Sequence, residues 1–287
     1  MKIKKSILSI LFLYVLYLLI RYPTESTLLA KDGLLIWFHT MLPTLMPFMI
    51  LSTLMVSMHL TDFLGPKRYC IVMGFLCGFP MGAKIVNDLY KTDQLSQKEA
   101  ELLMGFCNNL GPIFMLNFAL PAMNIENPFY YLIGFYGIPF LYGMLLLNSQ
   151  KFAPTESSTH ILKCEKDIHL LYHIDDAIQC AIHSITTLGG YMILFNLLYI
   201  IPQALHLPTS LRCVFEICGG LSLHPKPSLW LLGLIPLGGL SCLVQTYSVI
   251  KDSSLSYSTY LKHKINLSIL TFIYFVIITY IVGFEYF

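Results

Sequence analysis

Apolar segments of membrane-spanning length recur along this chain and restrict what it can fold into. After an N-terminal apolar run that ends at Ile20, further runs cover residues 33–58, 69–79, 110–122, 128–148, 186–206, 228–245 and 265–284. A helix needs roughly 20 apolar residues to cross a bilayer. Because 56% of the residues are hydrophobic and only 12% are charged, there is too little polar surface for a soluble fold. The sequence therefore predicts an all-α, polytopic transmembrane protein of the cell membrane, with the lipid bilayer as its surroundings.

The chain divides near its middle. Residues 149–176 are rich in Ser, Thr, Lys, Glu and His, which is typical of an aqueous connection. We therefore expect an N-terminal membrane span over residues 1–30, a first membrane half over 31–148, the polar linker over 149–176 and a second membrane half over 177–287. Arg21-Tyr22-Pro23 follows the first apolar run in place of a small-residue cleavage site. We therefore expect an uncleaved span with its leading lysines on the inside.

Two of the apolar runs contain residues that interrupt helices. Pro43 and Pro47 lie in one run, and Pro236, Gly238 and Gly239 lie in another. Neither run should be a straight helix, because proline removes a backbone hydrogen bond. Broken backbone at membrane depth is tolerated only where protein or water satisfies the freed polar groups. The interruptions therefore indicate a pathway or a binding site.

The interrupted segments also align the two halves. Placing Gly78 on Gly239 brings Lys84 opposite Gln245, and a Leu-Ser pair then follows in both halves at similar spacing. Identities are few, but each half has a glycine-broken run, a polar residue six positions later and a Leu-Ser helix start, in that order. Paired interruptions of this kind predict two related halves, each contributing a broken or re-entrant helical hairpin to one midplane site.

The stretch around Pro80 predicts a half-helix that begins inside the bilayer. An apolar entry stops at Gly78, Pro80 suits the first turn of a new helix, and Lys84 and Asp88 share one helix face. The free N–H groups of this helix start would favour an anion, and Lys84 would add a positive charge. The alternative is an ordinary loop followed by a surface helix with a solvated ion pair.

The next stretch predicts a helix with a defined start and end. Ser96 followed three residues later by Glu99 is a capping box, so a helix begins at Ser96. It should end at Asn108-Asn109-Leu-Gly-Pro. The amides of Asn108 and Asn109 either bond a substrate or the broken backbone of the opposite hairpin, or they form an ordinary C-cap at the membrane interface.

The second half contributes a carboxylate and several polar groups in apolar surroundings. Ionisable groups at membrane depth usually pair or line a pathway. Glu216 could neutralise the hairpin lysine of the first half, carry a coupling proton, or lie at the interface beside Arg212. Gly239, Ser241 and Gln245 supply a break, a hydroxyl and an amide, and we expect them to form the second side of the same cavity.

Other function classes find no support in the sequence. The formal charge of +2 is scattered along the chain, so we expect no nucleic-acid partner. GxSxG, HExxH, Walker and dinucleotide-binding patterns are missing, so we expect no enzyme. The eight cysteines form no CxxC pair and the histidines are dispersed, so we expect neither metal nor cofactor. Homo-oligomerisation stays open.

Six motifs follow one another along the two halves. They are Gly78-Phe-Pro-Met-Gly-Ala-Lys84, Leu95-Ser-x-x-Glu99-Ala-Glu101, Phe106-Cys-Asn-Asn-Leu-Gly-Pro112, Thr186-Thr-Leu-Gly-Gly190, Phe215-Glu216-Ile217 and Gly238-Gly-Leu-Ser241-x-x-x-Gln245. In this order they resemble the sporulation integral membrane proteins of the nucleoside-recognition, or Gate, domain family. The similarity runs from about Lys31 to Lys264.

The resemblance implies a protein made in the mother cell during sporulation that moves dipicolinic acid across the outer forespore membrane. Dipicolinate is a small planar dianion, so the half-helix start and Lys84 would suit one carboxylate, and Ser241 and Gln245 the other. Transport of a nucleoside or another small solute, and a spore-envelope assembly role without transport, remain alternatives. We predict that Lys84→Ala abolishes transport without loss of membrane insertion.

Overall fold

The computed structural model describes residues 2–58, 64–149, 170–223 and 226–283, so most of the predicted linker lies outside the described residues. The regular elements described are all helical. They are α1 (Lys2–Arg21), α2 (Pro23–Ser57), α3 (Pro66–Cys77), α4 (Met81–Lys91), α5 (Gln97–Cys107), α6 (residues 112–122), α7 (Phe129–Ser149), α8 (Leu170–Ala204), α9 (Arg212–Phe215), α10 (Ile217–Leu221), α11 (residues 229–237), α12 (Gly239–Ile250) and α13 (Tyr257–Val282). Six segments of the described chain are long and apolar enough to cross a membrane. The predicted all-α, polytopic class is confirmed.

The long helices α2 and α8 pack against each other in opposite directions. The Trp37 indole donates a 2.8 Å hydrogen bond to the Ile185 carbonyl. Gly33, which precedes Trp37 on α2, lies against Asn196, which follows Ile185 on α8. Helix α2 passes through both of its prolines, and a π turn at Trp37–Met41 comes directly before them. This run is therefore irregular, but it is not divided by a loop.

Helices α3 and α4 form a re-entrant hairpin. The two helices pack side by side. Lys67 at the start of α3 forms a 2.5 Å ion pair with Glu99 in the first turn of α5, the helix that follows α4 after a short loop. The chain thus returns to the end of the bundle from which it entered. Helix α5 begins with the predicted capping box of Ser96 and Glu99, and α5 and α6 then cross the protein as one span with a break between them.

The second half contains a short helical pair and a second broken span. Helices α9 and α10 pack together on either side of Glu216. Helices α11 and α12 run antiparallel to α13, because the Gly233 carbonyl accepts from the Ser268 hydroxyl and the Leu243 carbonyl accepts from the Tyr257 hydroxyl. The sequence predicts a hairpin at this glycine-rich break. The structure instead has a kinked span, because two consecutive glycines with positive φ, Gly238 and Gly239, redirect the helix without reversing it.

The order and direction of the helices pair the two halves in a different way from the sequence alignment, which places Gly78 on Gly239. Helices α4 and α12 run the same way, since Asn87 near the end of α4 donates to the Val249 carbonyl near the end of α12 at 3.1 Å. The series α2, α3–α4, α5–α6 and α7 is matched in order by α8, α9–α10, α11–α12 and α13. Each member of the second series runs in the direction opposite to its counterpart.

The two ends of the bundle differ in their number of lysines and arginines. At one end, here called the basic end, the Tyr90 hydroxyl in the last turn of α4 lies 2.5 Å from the Ser254 hydroxyl in the loop that follows α12. The described cations at the basic end include Lys67, Arg68, Lys91, Lys98 and Lys251, whereas Arg21, Lys31 and Lys226 lie toward the opposite end. An excess of Lys and Arg marks the cytoplasmic side of a membrane protein.

Candidate functional site

The tip of the α3–α4 hairpin lies against the break between α5 and α6. Gly78 ends α3 with a φ of 79°, and a Cβ at this position would lie 2.5 Å from the Gly111 nitrogen. Only glycine suits both this conformation and this close approach. The Phe79–Pro80 peptide bond is cis, and Pro80 is the N-cap of α4. Pro80 therefore lies one position before the first helical turn that the sequence predicts for it.

The Asn108 side chain caps α4. Its Oδ1 accepts from the Ala83 nitrogen at 3.2 Å, and its Nδ2 donates to the Thr246 hydroxyl at 3.0 Å and the Tyr260 hydroxyl at 3.2 Å. Among the roles that the sequence allows, Asn108 thus bonds the broken backbone of the hairpin. It also connects the two halves. The helix start that was expected to receive an anion has its Ala83 N–H bonded to protein.

Lys84 is balanced by a carboxylate of its own helix. Its Nζ lies 2.6 Å from the Asp88 carboxylate, one turn along the same face, as the sequence predicts. The pair is half-buried, with 17% of the Lys84 side chain exposed. Within the described residues Glu216 does not pair with this lysine. Lys84 therefore contributes less uncompensated charge to the site than a free lysine would.

The second break brings Gly239, Ser241 and Gln245 into the interior. A Cβ on Gly239 would lie 3.0 Å from the Cys213 carbonyl at the end of α9. Ser241 is fully buried, and its hydroxyl has no nitrogen or oxygen partner in the described part of the chain. Gln245, one turn further along α12, is 4% exposed. Its contact with the neighbouring Cys242 thiol is a weak hydrogen bond, which leaves the hydroxyl able to bond a ligand.

Glu216 is buried and caps α10. Its Oε2 accepts from the Gly219 nitrogen at 2.5 Å and, at 3.4 Å, from the Asn196 amide. The Asn196 Oδ1 accepts from the Arg212 guanidinium at 3.0 Å. Arg212 in turn forms a 2.9 Å ion pair with Asp32 of α2. Asn196 therefore stands between Glu216 and Arg212. Glu216 is enclosed in the protein.

Four interruptions of the helices meet at one place, here called the four-break site: residues 78–80, 108–111, 216 and 238–239. The first touches the second through Gly78 and Gly111, the fourth touches the third through Gly239, and the Phe79 ring lies against Gly238. Helix α5 has 11 residues before its break, or about 16 Å at 1.5 Å per residue. The break therefore falls near the middle of the span of residues 97–122.

The four-break site also contains a lysine that the sequence analysis missed. Lys264 of α13 is fully buried, and its Nζ donates a 2.8 Å hydrogen bond to Asn109 Oδ1. The Phe79 ring centroid lies 4.6 Å from the same nitrogen and the Tyr260 ring centroid 6.0 Å. The Asn109 Nδ2 donates back to the Phe106 carbonyl at 2.6 Å. The last apolar run of the sequence begins at residue 265, so Lys264 is not among the site residues that the sequence predicts.

These features define a class of protein: a multi-pass helical membrane protein with buried ionisable side chains where broken helices meet. A stretch of 129 residues is 30% identical to the sporulation integral membrane protein YlbJ of Bacillus subtilis (strain 168). The match covers 40% of this chain and 32% of the relative. The chain thus has a distant relative among sporulation membrane proteins.

Two further comparisons gave no match. No protein-family model matches the chain. No solved structure matches it.

Proposed function

We propose that this chain is a carrier that moves a small organic anion across a membrane through the four-break site. The observation that supports this proposal most is the meeting of two chain reversals and two broken spans at one buried position, near the middle of the span of residues 97–122. We further propose that the two halves form an inverted repeat, because corresponding elements run in opposite directions. Many secondary transporters place their substrate site between such repeats. We propose transport, and no catalytic role.

The two chain reversals open toward opposite ends of the bundle, and the proposed movement of the carrier follows from this difference. Asn108, Glu216 and Ser241 are each 1% exposed or less, so the described conformation is closed at the four-break site. The α3–α4 hairpin opens toward the basic end, and the α9–α10 pair lies toward the opposite end. Outward movement of one at a time would expose the site to alternate sides of the membrane.

We propose dipicolinate as the substrate and the outer forespore membrane as the location. This part of the proposal is supported by the motif resemblance to Gate-domain sporulation proteins and by the relative named as a sporulation integral membrane protein. A planar dianion also suits a site that contains a buried lysine and a buried hydroxyl.

Uptake of radiolabelled dipicolinate into proteoliposomes tests the proposal. We expect saturable uptake by the wild-type protein that unlabelled dipicolinate competes away and neutral 2,6-pyridinedimethanol does not. Lys84→Ala tests the sequence-based assignment of the site, with Lys226→Ala, in a loop at the opposite end, as its control.

The outcomes separate the proposed roles. Uptake that Lys84→Ala abolishes supports the carrier and the predicted lysine together. Uptake that Lys84→Ala retains supports the carrier and moves the substrate-binding charge elsewhere. Folded wild-type protein that takes up no dipicolinate under any ion gradient, in either orientation, overturns dipicolinate transport. An assembly role or another solute would then be the better explanation.

A further inference from the structure

Lys264 differs from the other cations of the protein interior in how its charge is balanced. Lys84 pairs with Asp88, and Arg212 pairs with Asp32. In the described ranges no carboxylate forms an ion pair with Lys264. Its one hydrogen bond there goes to a neutral amide oxygen, that of Asn109.

A buried ammonium with so few partners is unfavourable on stability grounds alone. Charges inside a membrane protein are costly and usually pair or line a substrate pathway. The aromatic faces of Phe79 and Tyr260 and one amide oxygen offset only part of the lost hydration of Lys264. The position of Lys264 beside the α5–α6 break therefore calls for an anion that is bound for part of the time.

Phe79 occupies the space that such an anion would need. It lies at the tip of the α3–α4 hairpin, between Lys264 and Gly238, with its ring centroid 4.6 Å from Nζ. A ring at this distance is held by the positive charge through a cation–π interaction. Movement of the hairpin tip would remove the ring and leave a flat space beside the ammonium.

We propose that Lys264 binds a carboxylate of the transported substrate, and that the Phe79 ring takes the place of this substrate in the closed protein. The ligand class is a small, planar aromatic carboxylate, because the space given up is that of one aromatic ring beside a single positive charge. This inference rests on the proposed transport function and assigns the substrate-binding charge to Lys264 and not to Lys84.

Equilibrium binding of radiolabelled dipicolinate to purified protein tests the assignment. Lys264→Met removes the charge at similar volume, Lys264→Arg keeps the charge, and Lys262→Met, at an exposed lysine of the same helix, is the matched control. Charge-assisted hydrogen bonds are strong enough that Lys264→Met should weaken binding by about tenfold or more. Lys264→Arg should bind more tightly than Lys264→Met, and Lys262→Met should stay within about threefold of wild type. Phe79→Leu should bind more tightly than wild type, because a competing group is removed.

A structural role for Lys264 makes a different prediction. If the lysine only stabilises the fold, Lys264→Met should lower the unfolding temperature of the ligand-free protein. If it is kept for substrate, the unfolding temperature should be unchanged or higher, because a poorly paired buried charge has been removed. Lys264→Gln, which keeps a donor for Asn109, replaces Lys264→Met if the latter cannot be purified.

Three results would overturn the assignment. One is binding by the charge-free Lys264 variant within about threefold of wild type. Another is a lower unfolding temperature of that variant without ligand. The third is wild-type protein that binds none of dipicolinate, phthalate and benzoate. The first result, together with saturable uptake by wild type, rejects only the role of Lys264 and leaves the carrier in place.

Discussion

Replacing Asn108 with alanine should destabilise the protein more than any other change of a single amide in the site. Asn108 is fully buried, and its side chain makes three hydrogen bonds, to Ala83 of α4, Thr246 of α12 and Tyr260 of α13. It therefore joins the re-entrant hairpin to the second half. Asn109 beside it bonds only the end of its own helix and Lys264.

The size of the effect follows from those three bonds. Side-chain hydrogen bonds inside membrane proteins contribute about 0.6 kcal/mol on average and up to about 1.7 kcal/mol each, so three give about 2 kcal/mol. The Ala83 N–H is then left buried without its acceptor, which costs about 1 kcal/mol more. We expect Asn108→Ala to lower the free energy of unfolding by about 3 kcal/mol.

Reversible unfolding in mixed micelles of SDS and dodecylmaltoside measures this loss. Asn266→Ala is the control, because Asn266 is an exposed asparagine of α13 whose one side-chain bond, to Tyr142, is 3.3 Å long. The control should change the free energy by less than about 0.5 kcal/mol. A loss below about 1 kcal/mol for Asn108→Ala would refute the idea that this amide joins the halves.

Three further changes test other parts of the fold and site. Gly78→Ala should cost at least about 2 kcal/mol more than Gly65→Ala in the same unfolding assay, because both have positive φ but only Gly78 has backbone within 3 Å of the added Cβ; equal losses would disprove the close approach. Glu216→Gln keeps the capping acceptor and should change stability by less than about 1 kcal/mol, whereas Glu216→Ala should lose about 2 kcal/mol; an equal loss for both would show that the charge itself is required. In intact cells a membrane-impermeant maleimide should label Glu126→Cys but not Lys251→Cys, in a background without reactive native cysteines, because the basic end is expected to face the cytoplasm; the reverse pattern would invert the topology.

The class of fold and three of the four breaks could be predicted, because both depend on local chemistry. The length of the apolar runs indicates helical spans. The capping box of Ser96 and Glu99 marks the start of α5 at the residue where the structure has it. Gly78 and Gly238 mark the breaks, because left-handed backbone in an apolar segment requires glycine.

The relation between the halves could not be predicted from the same signals. Gly78 and Gly239 look equivalent in sequence, since each follows an apolar run and precedes a short helix with a polar residue. The direction in which the chain continues after a glycine depends on what the next helix packs against. Helix α4 packs back on α3, whereas α12 continues along α13. The counterpart of the first hairpin is therefore the short pair around Glu216, which has no glycine at its tip.

Lys264 shows that counting residues from a helix cap locates a side chain along a span better than the start of an apolar run does. Ser256 caps α13 through the Thr259 nitrogen at 3.2 Å. Lys264 lies eight residues beyond this cap, or about 12 Å along the helix. A lysine this far along α13 is beyond the first turn, from which a lysine side chain could still reach the membrane interface. It must therefore find partners inside the protein. The cap at Ser256 can be recognised in the sequence, so Lys264 could have been identified as a buried residue of the four-break site before the fold was known.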